Sequence, residues 1–199
     1  MSDADAGFWD AEAEHFDESA DHGLRDPAVR AAWRSLLDAV LPATPADVAD
    51  LGCGTGSLAL LAAEAGHRVT GVDFAPRMLD QAARKSAAAR LPVSWILGDA
   101  AAPPLPDGAF DVVLERHVLW ALPDPAAALA AWGRLLRPHG VLALVEGRWW
   151  TGAGLPADEV RRLVEESGRT VEVVPLPDPA LWGAPIEDER YLVLGRSDG

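Results

Sequence analysis

The residues with most chemical content are Gly52, Gly54 and Gly56, within Asp50-Leu51-Gly52-Cys53-Gly54-Thr55-Gly56-Ser57, and Asp73, which closes Val69-Thr70-Gly71-Val72-Asp73. Glycine has no Cβ, so a turn built on it lets a backbone come close to a ligand. A carboxylate about 20 residues beyond such a turn can hold the hydroxyls of a ribose. Together they point to a nucleoside-containing cofactor. The spacing is G-x-G-x-G, and Ser57 stands where the last glycine of the dinucleotide fingerprint would fall. Asp50 lies two residues ahead of the first glycine. A carboxylate there sits badly beside phosphates and suits a cation, such as an amino group or a sulfonium.

Placing these residues requires a strand, a turn and a helix in succession, and the chain supplies them. Asp47 to Leu51 reads as a strand, Ser57 to Ala65 as a helix stopped by Gly66, and the run ending at Asp73 as a second strand. Ala75 to Ala89 reads as a helix, Val93 to Leu97 as a strand, and Ala100 to Gly108 as a proline-rich loop. Asp111 to Leu114 is a strand, Pro125 to Arg137 a helix and Val141 to Val145 a strand. Apolar strands alternating with helices imply a parallel sheet covered on both faces. In the tail, Pro156 to Glu166 reads as a helix, with strands at Thr170 to Val174 and Arg190 to Gly195. The loop between those strands is too short for a helical crossover, so the last strand is expected to run antiparallel. Upstream, Asp26-Pro27 starts a helix carrying Val29, Trp33, Leu36, Leu37, Val40 and Leu41 on one face. Residues 1 to about 22 are acidic, with apolar points at Phe8, Trp9 and Phe16. Two parts are therefore expected: a helical cover segment over 1–44 and a main domain over 45–199.

The chain has 199 residues, 49% of them hydrophobic, eight of them Trp, and a net charge of −14. Such a charge argues against nucleic acid and anionic membrane surfaces as partners and favours a small-molecule acceptor. Cys53 is the only cysteine, which excludes an intrachain disulfide and a cysteine metal cluster. Within the turn it reads as a small residue that fits rather than a reactive thiol. Neither a signal peptide nor a membrane span is expected, and the cytoplasm is the default location.

The glycine turn matches the first motif of class I S-adenosylmethionine-dependent methyltransferases. Val72-Asp73-Phe74-Ala75-Pro76-Arg77-Met78-Leu79 resembles their second motif, and Gly98-Asp99-Ala100 their third. Phe110 to Leu119 with Leu122-Pro123-Asp124-Pro125 resembles the fourth-strand region, and Leu136 to Leu142 the turn before the fifth strand. The resemblance runs from about residue 45 to 196 and is nearest to small enzymes of the quinone-biosynthesis kind. It implies a doubly wound, Rossmann-like sheet of seven strands, mostly parallel with an antiparallel last strand, helices on both faces and an N-terminal helical cover.

The resemblance also implies roles. Gly52, Cys53, Gly54 and Gly56 would hug the methionine part of S-adenosyl-L-methionine, with Asp50 orienting it. Asp73 would take the ribose hydroxyls, and Phe74 and Met78 would pack on the adenine. Gly98, Asp99 and Ala100 would meet its edge, Asp99 accepting from the amino group. Arg116 and His117 would lie at the ligand-binding edge of the sheet. Asp73 also suits a plain helix cap, Asp99 a turn cap, and His117 a structural histidine. Transfer to an O, N or C nucleophile of a small acceptor is the expected activity. His117 is the first candidate base, with His22 and His15 next, since imidazole titrates near neutrality. Arg25 or Arg116 could bind a carboxylate. No metal is expected, and the state is a monomer or a homodimer using Trp149 or Trp182. A nicotinamide-dependent reductase is opposed by the glycine spacing and the antiparallel strand. A cofactor-binding module without catalysis is the other reading, left open by the short segment after the fifth strand. Two positions depart from the family pattern: Phe16-Asp17 where relatives have Tyr-Asp, and His139-Gly140 where they have Gly-Gly.

Overall fold

In the computed structural model, which describes residues 3–43 and 45–197, strand β1 (Asp47–Leu51) lies third in a seven-stranded sheet. From it the chain winds outward through α4 (Ser57–Glu64), β2 (Arg68–Asp73), α5 (Pro76–Ala89) and β3 (Val93–Leu97). It then crosses to the other side of β1 for β4 (Phe110–Arg116), α6 (Pro125–Leu135) and β5 (Leu136–Arg148). Helix α7 (Ala157–Glu166), β6 (Thr170–Pro175), a short α8 (Pro179–Trp182) and β7 (Glu189–Arg196) complete it. The order is β3-β2-β1-β4-β5-β7-β6, with β7 antiparallel to both its neighbours. The doubly wound sheet is thus mostly parallel, as the sequence led us to expect. Reversal of winding between β1 and β4 opens a crevice at their carboxyl ends, where ligands bind in such sheets.

Strand alternation divides the core in two. Val48, Val112, Leu114, Ala143 and Val145 face the side covered by α3 (Pro27–Val40) and α4. Ala49, Leu51, Val113, Leu142 and Leu144 face α6 and α7. Helix α4 is buried from Ser57 to Ala63 rather than on one face, because α3 packs over its outer side. Asp26 caps α3, its carboxylate accepting from Ala28 N at 2.7 Å. Trp33 of α3 is wholly buried, donates to the Leu181 carbonyl at 2.7 Å and meets Trp182 edge-on. Trp182, a candidate dimer contact by sequence, is therefore committed to its own chain.

Before α3 lie α1 (Asp3–Glu12), a 3-10 turn at Phe16–Glu18 and a one-turn α2 (Ala20–Gly23). They rest on a small separate cluster of Ala13, Ala75 and Met78, flanked by Trp9 and Phe16. The expected boundary between 44 and 45 falls at Thr44, outside the described residues. Strand β5 begins at Leu136, five residues earlier than the sequence suggests, through a register shift opposite Phe110–Val112. His139 takes a φ of +66°, the left-handed value that its glycine-rich equivalents would adopt freely.

Candidate active site

Residues from six segments converge on one cavity of about 290 Å³ at the crevice. Glycine turn residues Gly52, Cys53 and Gly54 form one side, with Asp50 beneath them. Asp73, Phe74 and Met78 follow from the end of β2, and Ala100 from the loop after β3. Arg116 and His117 come from the end of β4, Val118, Trp120 and Ala121 from the turn after it, and Trp149 from the end of β5. Trp9, Phe16, Asp21 and His22 close the cavity from the N-terminal segment.

Asp73 is 5% exposed and is held at both oxygens. Its Oδ2 accepts from Gly54 N at 2.7 Å, and its Oδ1 from Ala75 N at 2.9 Å. The helix-cap and ligand readings of this residue are thus compatible: each oxygen keeps a further lone pair for a hydroxyl donor. Burial pushes its carboxyl pKa up, opposed by the N–H groups of Ala75, Gly54 and Phe74. Gly54 has a φ of +54°, and a Cβ there would lie 3.3 Å from the Phe16 ring, so the turn and the N-terminal segment meet at van der Waals distance.

Asp50 is 3% exposed, and its Oδ2 has no hydrogen-bond partner. Burial pushes its pKa up to about 7, against the pull of Arg116 and of the Ala59 N–H, with Asp73 adding to the rise. An orphaned carboxyl oxygen beside an apolar cavity is a place for a cationic group. Period-2 alternation along β4 sends Arg116 to the face of Leu114, over the Trp33 ring at 4.9 Å, where Nη1 donates to the Asp21 carbonyl.

His117 has a φ of +61° and a buried Nε2 without a partner. Its ring stacks on Trp182 at 5.9 Å and meets Trp149 edge-on at 5.0 Å. Burial first, then Arg116, Arg190 and His22, lower its pKa well below the usual value. His22 stacks on Phe16 at 4.3 Å, and burial lowers its pKa against the opposing effect of Asp21. Both imidazoles are therefore neutral at pH 7 and weakly basic.

Other residues singled out in the sequence are not part of the cavity wall. His15 is exposed and paired with Glu18 at 2.8 Å, outside the cavity wall. Gly56 packs under Trp95, and Gly98 under Pro104 with its N–H on the Asp73 carbonyl at 2.9 Å. Asp99 Oδ1 accepts from Ala101 N at 2.8 Å, the turn-cap geometry, and its neighbour Ala100 alone of that motif lines the cavity. Motif spacing located these residues but not the direction each faces. Trp9, Phe16, Asp21, Leu58, Val118, Trp120 and Ala121 were not among the residues expected to form the site, and Trp149 was a candidate dimer contact by sequence. Trp9 and Phe16 did carry a signal, as isolated apolar points in an acidic segment.

The cover is pinned by polar contacts. Lys85 of α5 donates to Asp17 Oδ2 at 2.8 Å, Thr55 Oγ1 at 3.2 Å and Ser57 Oγ at 3.1 Å. The Thr55 hydroxyl also donates to Asp17 Oδ1. Asp17, the second residue of the Phe16-Asp17 pair, thus ties the N-terminal segment to the glycine turn.

Comparison with known proteins agrees with this geometry. Residues 49–144 match the family model described as a methyltransferase domain. The chain is 42% identical to a demethylmenaquinone methyltransferase of Thermus thermophilus, over 57% of this chain and 53% of that protein. It is 34% identical to an uncharacterised methyltransferase of Mycobacterium tuberculosis, over 68% of this chain and 73% of that protein. The matches to the first of the curated relatives span about half their length or less. The fold matches a crystal structure of a SAM-dependent methyltransferase from Aquifex aeolicus with a TM-score of 0.71, 18% identity and coverage of 94% of this chain and 97% of that one. By sequence, fold and the placement of its glycine turn and strand-end carboxylate, the chain belongs to the class I S-adenosylmethionine-dependent methyltransferases.

Proposed function

We propose that this protein transfers a methyl group from S-adenosyl-L-methionine to a small-molecule acceptor. The observation that carries the reading is Asp73, fixed by Gly54 and Ala75 at one end of a cavity whose other end is walled by Trp120, Trp149 and His117. The first end fits the cofactor. Asp73 would hold the ribose hydroxyls, Phe74, Met78 and Ala100 the adenine, and the orphaned Asp50 oxygen its cationic end. When bound, the cofactor supplies a methyl group on a sulfonium that leaves as a neutral thioether.

The chain's own residues place and shield. Trp9, Phe16 and His22 close the cavity from above, consistent with a role for residues 1–44 as a cover that excludes water. Trp120 and Trp149 offer flat apolar walls to an acceptor, and orientation of two reactants supplies several kcal/mol of barrier reduction. His117 and His22, both neutral, can orient a hydroxyl or take a proton from an acidic acceptor. No helix among the described residues is long and apolar enough to cross a membrane, in keeping with a cytoplasmic enzyme. The high negative charge agrees with a small-molecule acceptor rather than a nucleic acid, and the protein is taken to act as a monomer or homodimer.

Thermal denaturation with S-adenosylmethionine, S-adenosylhomocysteine and NADH side by side tests this. Ligand that binds only the folded state raises the melting point. The first two should raise it and NADH should not. Asp73→Ala should abolish the rise measured against its own baseline. A rise with NADH alone refutes the reading.

A further inference from the structure

Glu115 and Glu146 contribute nothing to the cavity wall, yet both are wholly buried. Glu115 is the penultimate residue of β4, opposite Leu144 of β5. Period-2 alternation puts Glu146 on the same face, toward α6 and α7. Glu115 Oε1 and Glu146 Oε2 are buried without a hydrogen-bond partner, and the two carboxyl groups lie close enough to act on one another. The remaining acceptors aim at one turn. Glu115 Oε2 accepts from Val118 N at 2.9 Å, and Glu146 Oε1 from Trp120 N at 3.3 Å. The Leu119 N–H also points at the pair.

That turn, with its 3-10 segment at Leu119–Ala121, supplies Val118, Trp120 and Ala121 to the cavity. Val118 presses on Gly52. The Trp120 indole lies 5.3 Å from Trp149 and donates to the His117 carbonyl at 2.9 Å. The wall that faces the proposed acceptor therefore hangs from two carboxyl groups behind it. Apolar residues at these positions would leave its buried N–H groups unsatisfied.

We propose that Glu115 and Glu146 are positioning residues, a buried carboxyl pair that fixes the 118–121 turn as the acceptor-side wall. The proposal rests on the methyltransferase reading only for the word acceptor; the device itself is independent of it. Several charged or titratable groups surround the pair. Tyr191 of β7 stands opposite Glu146, its hydroxyl donating to the Leu155 carbonyl at 2.8 Å. Glu159 of α7 and Glu189 of β7 add negative charge around Tyr191. Arg116, on the opposite face of β4, is the cation whose field reaches Glu115. Burial, and for Glu115 also the neighbouring carboxyl, raises both pKa values, and the N–H groups of the turn oppose the rise.

Amide hydrogen exchange at Val118 and Trp120, read by NMR on the ligand-free protein and corrected for intrinsic rates, tests this. Glu115→Leu should lower protection at Val118, and Glu146→Leu at Trp120, about tenfold or more, while Val113 and Leu142 in the strands keep theirs. Glu146→Gln can still accept from Trp120 N and should match the unmodified protein. Full protection of the turn amides in the two leucine variants, or its loss in Glu146→Gln, overturns the proposal. Titration of the unmodified protein with S-adenosylhomocysteine reports separately on the methyltransferase reading, since its failure leaves the exchange result standing.

Discussion

Replacing Asp50 by Asn keeps the shape of the side chain and removes its proton chemistry. The pKa of Asp50 moves from 3.8 to about 7 because burial penalises its charged form. A folded-state value above the unfolded one means that the stability contribution is complete below about pH 4 and is lost as pH rises through about 7. The full displacement is worth about 4 kcal/mol at about 1.4 kcal/mol per pH unit. The ligand-free protein should therefore weaken relative to Asp50→Asn as pH climbs, and the gap should widen by about 2–3 kcal/mol between about pH 5 and about pH 8. Urea unfolding of both proteins at those two pH values measures it, and effects common to both cancel. The same change should weaken S-adenosylmethionine binding, because the orphaned oxygen is lost as a counter-charge. Below about pH 7, calorimetry in buffers of different ionisation enthalpy should show proton release on binding to the unmodified protein and none with Asn. An unchanged stability gap across the pH range would refute the placement of a protonatable Asp50 in the dry interior.

Lys85→Met leaves the buried Asp17 carboxylate with only the Thr55 hydroxyl, and should cost about 2 kcal/mol while speeding protease cleavage within residues 6–22. Denaturant unfolding and limited proteolysis report the two effects. Gly54→Ala imposes a side chain at a φ of +54° and crowds the Phe16 ring, and should lose about 1 kcal/mol of stability. Its S-adenosylhomocysteine affinity by calorimetry should drop about tenfold, a further 1.4 kcal/mol. His139→Gly relieves a left-handed φ of +66° at an exposed site. It should gain about 0.5–1 kcal/mol in thermal or urea unfolding without altering ligand affinity.

The cofactor-facing half of the site was legible because its signals are local. Gly52, Gly54 and Asp73 belong to short runs in which strand, turn and helix follow at fixed spacing. The direction of β7 was equally readable, from a loop too short to carry a parallel crossover. The opposite half was not, since Trp9, Phe16, Asp21, Val118, Trp120 and Trp149 lie in separate segments that only the tertiary fold unites. Orientation was a second blind spot. Gly56 and Asp99 lie within or beside the right motifs, and the fold shows what spacing does not, that Gly56 seats Trp95 and Asp99 Oδ1 closes a turn. The start of β5 was misread because Pro138 and His139 are turn-like residues, whereas the sheet absorbs them through a shift in register. Glu115 and Glu146 carried a readable hint, as acids inside apolar strands, but their pairing depends on the alignment of β4 with β5.

The N-terminal segment rests on a cluster of three buried apolar residues, a lysine-centred knot and single bonds from Arg116 to the Asp21 carbonyl and from Arg77 N to Asp10, while the sheet beneath has two large cores of its own. Detaching the former therefore costs far less than disturbing the latter. On the proposed reading, traffic into and out of the crevice would be a local event, the N-terminal cover lifting and reseating while the strands stay paired. The tempo of exchange would then follow how strongly the polar groups around Lys85 hold on, and natural variation at those positions would retune it without touching the chemistry.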